Sequence, residues 1–283
     1  MALDYDAVMA VRVAGKCRYS DTETMLYALG VGMGRDPMNE KELPFVYEKN
    51  LKVIPTMACT LGDTFDNTHL TNCGVNTQMI VHGDEKLVLH RPLPPAATIS
   101  YDFGVKAIID KGKDKGALMV TENKVELEDG TPLFTLTRTI FARGDGGFGG
   151  SREGLPIPQV LPERKADVTC TLDTRPDQAL LYRLSGDRNP LHAEPEFARV
   201  AGFPKPILHG LCSFGTSCRG LLTHMLDYDT LRIKTMEARF SAAVFPGDTL
   251  FMEMWDEGNH ILFRTKNKES GVVVMNNGRL NLT

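Results

Sequence analysis

Asp187, Asn189 and His192 fall within six positions in the stretch YRLSGDRNPLH, residues 182–192. A carboxylate and an imidazole at this spacing suit general acid–base work on one shared water. The carboxamide between them offers both a donor and an acceptor to hold that water. Gly186 permits a backbone turn before the group, and Pro190 stops a helix from running through it, so the three residues belong to a loop. The same composition also describes a plain polar turn, with Asp187 and Asn189 bonding nearby backbone and His192 serving as a structural imidazole. Taken alone, the stretch leaves both readings open.

The surrounding elements place this loop between two helices. A short helix precedes it, with Thr174 as a candidate cap ahead of Pro176 and Asp177. A longer helix follows near 208–226, where Leu208, Leu211, Cys212, Gly215, Cys218, Leu222 and Met225 share one face. Long strands come next, in TLRIKTMEARFSAAV, DTLFMEMW, NHILFRTKN and GVVVMNNGRLNL, separated by turn signals such as DEGN and KESG. The first half follows the same order. Ser20 and Glu23 fit a capping box for its short helix, a helix around 57–70 is weakly patterned, and strands are expected in 97–110, 116–129 and 131–142. TMLYALGVG echoes ALLYRLSGD, with Tyr27 opposite Tyr182 (182 − 27 = 155). LHRPLPPAAT echoes FSAAVFPGDT, with Pro95 opposite Pro246 (246 − 95 = 151). Two echoes in one order at nearly one offset imply a duplicated unit, each copy a helix against antiparallel strands, which is an α+β layer plan.

The chain has 283 residues, 42% hydrophobic and 24% charged, with a formal net charge of −4. This suits a soluble protein with a real core and gives no bulk attraction to nucleic acid or to an anionic membrane. No apolar run approaches the length of a span. The N-terminus lacks a basic, then apolar, leader. The C-terminal RLNLT is not an SKL-type signal, so the expected location is cytoplasmic, with the peroxisome as the alternative. Cys17, Cys59, Cys73, Cys170, Cys212 and Cys218 are irregularly spaced and form no CxxC, so reduced thiols are expected. The histidines are scattered, and no metal site is expected. Gly144, Gly146 and Gly149 spell GxGxxG after a strand-like stretch, yet Pro156, Pro158 and Pro162 forbid the helix that a dinucleotide loop must open. The run 146–163 therefore reads as a Gly/Pro-rich linker between a first unit, 1–145, and a second, 164–283.

YRLSGDRNPLHAEPEFA closely resembles the hydratase signature of the MaoC-like dehydratases, in particular the R-specific (type 2) enoyl-CoA hydratases. GFPKPILHGLCSFG (202–215) resembles the family's Pro-x-x-His-Gly segment. FSAAVFPGDTL (240–250) resembles its Pro-Gly-Asp/Glu-Thr strand, with Ala243 where proline is usual, and RGDGGFGG resembles the linker of two-domain members. The resemblance spans nearly the whole chain and is loose in the first half. It implies a double hot-dog fold, two tandem units each with a helix wrapped by an antiparallel sheet.

It also implies reversible hydration of trans-2-enoyl-CoA to (R)-3-hydroxyacyl-CoA in fatty-acid metabolism, with no cofactor beyond the CoA carried by the substrate. Asp187 and His192 become the acid–base pair, with the role of each left open, and Asn189 helps to hold the water. The Gly210 amide, near the start of the long helix, becomes the oxyanion donor, and Ser213 supports the acidic residue. GVGMGRDP, the first-half counterpart of the loop, lacks the Asp-x-Asn-Pro-x-His set. One active site per chain is therefore expected, with the first unit non-catalytic and sheltering the acyl chain, in a homodimer. Three alternatives remain: a dehydratase for carrier-protein or unusual branched or sterol-side-chain thioesters, a non-catalytic acyl-CoA-binding module, and a thioesterase. Among other residues, Cys212 and Trp255 read as core, and His82 and His90 as sharing one solvent-facing side of a strand. Arg188, Lys205 and Arg239 are exposed candidates for CoA phosphates.

Overall fold

The computed structural model describes residues 3–62, 68–150 and 159–283. Ten strands form one antiparallel sheet: β1 (Arg12–Tyr19), β2 (Ile80–Leu89), β3 (Ala97–Asp110), β4 (Ala117–Leu127), β5 (Pro132–Ala142), β6 (Val168–Asp173), β7 (Ile233–Phe240), β8 (Thr249–Asp256), β9 (His260–Asn267) and β10 (Val273–Leu282). Their spatial order is β1-β3-β4-β5-β2-β7-β10-β9-β8-β6. Read outward from the middle, each half uses its own second, fifth, fourth, third and first strand. The repeat suggested by the two tyrosines and two prolines is therefore a repeat of topology. The halves join through β2 and β7, which pair antiparallel from Asp84↔Arg239 to Val88↔Thr235, so the backbone ladder runs unbroken from one unit to the other.

In the second unit the long helix is Gly210–His224, a little shorter than 208–226. It starts late because the Leu208 amide donates to the Val244 carbonyl (2.7 Å), tying the chain to the Pro-Gly strand entrance before the helix begins. Residues Leu211 to Cys218 are all buried, because the helix packs on β6 and β8 and is covered from the first unit by Pro55–Thr60. Among the described residues Ser213 Oγ finds no partner there, and Ser217 Oγ meets Thr265 Oγ1 at 3.1 Å.

The first unit departs from this plan. In place of a helix over 57–70 it has a 3-10 helix, Pro55–Thr60, and a short α-helix, Thr68–Asn72, with 63–67 outside the described residues. Gly62 takes φ +82°, a left-handed conformation that ends the 3-10 segment. The helix Asp21–Gly30 has the expected capping box of Ser20 and Glu23. Its counterpart Gln178–Tyr182 does not use Thr174 as a cap. The Thr174 hydroxyl instead donates to the Asp248 carbonyl (2.8 Å) and accepts the Gly247 amide (3.0 Å), so it pins the turn before β8.

The glycine-rich segment after β5 has a defined job among the described residues. The amides of Gly112 and Gly147 donate to one carboxylate oxygen of Asp110 and the Gly149 amide to the other, each at 2.8 Å. Gly146 passes so close to Gly112 that a Cβ would lie 2.1 Å from its carbonyl oxygen. The backbone nest that resembles a phosphate loop thus encloses the protein's own buried carboxylate. Pro162 is among the described residues; Pro156 and Pro158 lie outside them.

Candidate active site

Gly186 has φ +128°, a conformation that side chains disfavour, and it turns the chain out of the short helix into the loop. Asp187 then accepts the Asn189 amide (3.1 Å), and the Asn189 side-chain oxygen accepts the Leu191 amide (3.0 Å), capping the 3-10 turn Pro190–His192. The turn chemistry and the catalytic residue types therefore coexist. The Asn189 oxygen is committed to the cap, while its amide nitrogen has no partner among the described residues and is available to a water.

His192 is 8% exposed, and its Nδ1 lies 2.9 Å from the Ile207 carbonyl. A carbonyl only accepts, so Nδ1 carries the hydrogen and Nε2 presents its lone pair. Burial lowers the His192 pKa below the ordinary 6.5; the Ile207 bond and the Asp187 charge oppose this, and Arg183 reinforces it. His192 is therefore neutral, and able to accept a proton, at neutral pH.

The sequence reading gave no role to His209, yet the structure places it at the centre of the site. Its ring stacks on His192 with centroids 3.7 Å apart and planes at 27°, and Tyr182 packs against it at 5.0 Å. Its Nε2 donates to the Asp187 carbonyl (3.2 Å). Burial, and then the neighbouring His192, push its pKa down to about 3. A signal for it stood in the sequence, as the histidine directly before Gly210 in ILHGL.

Ligating atoms of Asp187, His192 and His209 all lie within 4.8 Å of one another, which is compact enough to test for a cation. Ring-nitrogen lone pairs lie in the ring plane. Two nearly parallel rings separated by a stacking distance direct them side by side rather than toward one ion. The stack fits an acid–base cluster better than a metal centre.

Gly210 is the first residue of the long helix. Cys212 and Ser213 both donate to the His209 carbonyl (3.1 and 3.2 Å), which leaves the Gly210 amide outside the intrahelical ladder, at the positive end of the dipole. A Cβ at Gly210 would lie 3.3 Å from the Phe240 ring, so the absent side chain keeps the approach to this amide open. Ser213 Oγ is buried without a partner among the described residues and does not bond Asp187.

Other candidates resolve differently. Cys212 is fully buried, its thiol 3.5 Å from the Gly30 carbonyl and its pKa pushed up by burial to about 12. Trp255 is buried with its indole N–H on the Arg164 carbonyl (2.9 Å). Arg188, Lys205 and Arg239 are exposed, and Lys205 sits over the Phe245 ring. His82 and His90 do not share a face. A β-bulge at Gly83 shifts the β2–β5 register between His82 and Asp84 and reverses the alternation.

His90 is exposed against Thr135 (2.9 Å), whereas His82 turns inward. Its Nε2 lies 2.7 Å from Glu85 Oε2, and its ring is 4.6 Å from Phe240. Glu85 is fully buried and also receives Arg138 Nε at 2.9 Å. Burial alone would raise the Glu85 carboxyl, but the Arg138 charge and the His82 bond outweigh it and hold the pKa at about 2. Asp187 is among the charges that stabilise Arg138, so this buried first-unit cluster lies within electrostatic reach of the second-unit loop.

Residues 17–144 match the MFE-2 hydratase 2 N-terminal domain, and residues 158–278 match the MaoC like domain. The chain is 38% identical to the enoyl-CoA hydratase ChsH3 of Mycobacterium tuberculosis, over 93% of this chain and 92% of that one. It is also 38% identical to the peroxisomal enoyl-CoA hydratase 2 of Arabidopsis thaliana, over 91% and 88%. A crystal structure of a MaoC-like dehydratase from Phytophthora capsici superposes with a TM-score of 0.86 at 34% identity, covering 98% of each chain. With this shared length and the repeated topology, the chain belongs to the MaoC-like dehydratase family, in its two-unit form.

Proposed function

We propose that the protein hydrates trans-2-enoyl-CoA reversibly to (R)-3-hydroxyacyl-CoA in fatty-acid metabolism. The observation that carries this reading is the pairing of the Asp187 carboxylate with a neutral His192 whose Nδ1–H is fixed on the Ile207 carbonyl. The pair is one loop away from a helix-start amide at Gly210 that has no partner among the described residues. Water bound by Asp187, His192 and the Asn189 amide gives its oxygen to the β-carbon and loses a proton to the pair. The electrons of the double bond move to the thioester oxygen, where the Gly210 amide stabilises the developing charge, a contribution of about 3 kcal/mol for such a donor. A proton returned from the pair to the α-carbon restores the thioester carbonyl. All atoms added come from water, so the chain's own groups suffice and the only CoA is that of the substrate. The names of the two hydratase relatives support the thioester substrate class.

In this reading residues 1–145 form the non-catalytic unit and shelter the acyl chain, 146–163 link the units, and 164–283 carry the chemistry. The replacement of a long helix by Pro55–Thr60 in the first unit supports this division. A homodimer and a cytoplasmic or peroxisomal site of action are part of the same proposal; one relative is named as peroxisomal. Among the described residues no helix is long and apolar enough to cross a membrane.

The test is a hydration assay over short, medium and long enoyl-CoA esters and carrier-protein esters, with chiral analysis of the product. Loss of conjugated-thioester absorbance without release of thiol supports hydration. Thiol release would establish a thioesterase instead, and ligand binding without turnover would establish a non-catalytic module.

A further inference from the structure

His209 joins three parts of the site. Its Nε2–H holds the Asp187 carbonyl, its ring covers one face of His192, and its own carbonyl receives the first two intrahelical bonds of the helix that carries the Gly210 amide. We propose that His209 is a positioning residue that locks the Asp187 loop to the oxyanion-donor helix and, by covering the His192 ring, keeps that imidazole unprotonated and aimed at the water. The proposal rests on the assignment of Asp187 and His192 made above.

The chemistry explains why an imidazole stands here. The bond to the Asp187 carbonyl requires the tautomer with hydrogen on Nε2, which leaves Nδ1 a bare acceptor; that atom is buried without a partner among the described residues. His209 is 1% exposed. Protonation would place a cation against the His192 ring, where burial keeps water from solvating it. Of the two stacked rings, only His192 is therefore free to cycle a proton. The groups that face His192 are the Asp187 carboxylate, the Arg183 guanidinium, the Ile207 carbonyl and the His209 ring. The first three are charges or dipoles, and His209 contributes a dry wall.

Two variants of the full chain separate the functions. His209→Phe keeps a ring over His192 and removes the donor to Asp187. It is expected to lower kcat about tenfold, the worth of one hydrogen bond, with little change in KM and an unmoved acid limb of the kcat/KM profile. His209→Gln retains an N–H donor and uncovers the ring. It is expected to keep more of kcat and to shift the acid limb upward by about half a pH unit or more as water reaches His192. In the wild type, 15N shifts of the imidazoles, assigned by the resonance lost in His209→Gln, should show one ring held in the neutral Nε2–H form down to pH 5. This reading does not depend on how well the phenylalanine variant folds.

Protonation of His209 near pH 6.5, or folded variants that both keep wild-type kcat and an unshifted profile, overturns the proposal. Should Asp187→Asn abolish turnover while the two His209 variants match wild type, this inference alone falls. Should Asp187→Asn and His192→Ala remain active, the site assignment beneath it falls.

Discussion

The rings of Tyr27 and Tyr182 lie 5.9 Å apart at 59°, both fully buried, and the two residues occupy equivalent places in the two units. They mark the seam where the halves meet. Gly30 lets Tyr182 approach its helix, and Gly215 lets the long helix approach Tyr27 and Val31. After the tyrosine the units diverge, one continuing into Asp187, Asn189 and His192 and the other into a sequence without them.

Gly215→Ala tests this seam. The added Cβ would lie 2.5 Å from Val31 Cγ1 and 2.6 Å from the Tyr27 hydroxyl. Overpacking of this kind should destabilise the fold by about 1–3 kcal/mol, read as a lower urea midpoint with an unchanged m-value.

Asp187→Asn and His192→Ala should each lower turnover by about 10² to 10⁴-fold, the range for losing a general acid or base, with the fold intact by circular dichroism. Turnover within a few-fold of wild type in either variant would remove that residue from the acid–base pair.

Gly210→Ala keeps the backbone donor and adds a methyl 3.3 Å from the Phe240 ring. Steady-state kinetics should show a loss of kcat/KM that is partly recovered in the double variant with Phe240→Leu. A loss that the second substitution leaves untouched would place the obstruction elsewhere.

Arg138→Met should cost about 3–5 kcal/mol in chemical denaturation, because it removes the permanent charge beside the buried Glu85 carboxylate and leaves it only His82 as a basic partner among the described residues. Adding Glu85→Gln should recover a substantial part of that loss. Additive losses in the double-variant cycle would show that the two charges are not coupled.

Stability should fall with acidity in two windows. Burial sets the folded pKa of His192 and His209 below the ordinary 6.5, so the unfolded chain binds more protons as the pH drops. Their contribution is complete above 6.5 and is lost below it, for His209 down to about 3. Glu85, displaced from 4.5 to about 2, adds a loss between those values. Urea midpoints measured from pH 8 to pH 4 should decline below 6.5, and a flat profile there would contradict buried neutral histidines.

The sequence exposed some levels of this structure more than others. The residue types of 182–192 announce their turn chemistry, because glycine, proline and the Asx side chains act locally, whereas a catalytic role for 182–192 and 206–215 came only from the family resemblance. The duplication was legible because Tyr27, Tyr182, Pro95 and Pro246 mark matching positions. Edge strand β1 was not, since its pattern includes Arg12, Gly15, Lys16 and Arg18 and its burial is only partial. The His82 orientation was misread because one inserted residue, Gly83, reverses strand parity. His209 and the Glu85–Arg138 pair were missed for a related reason. Their partners are distant in the chain, and periodicity carries no information about which buried polar groups will meet.

The two similar units are one covalent chain, and the β2–β7 ladder carries the sheet from one into the other. In an assembly of two identical single-unit chains, every substitution is made twice, once beside each reacting centre. Here a change in one half leaves the other half unaltered. Inheritance can therefore reshape the surface that accommodates a substrate without touching the groups that react with it, and the two halves are free to accumulate differences at their own rates.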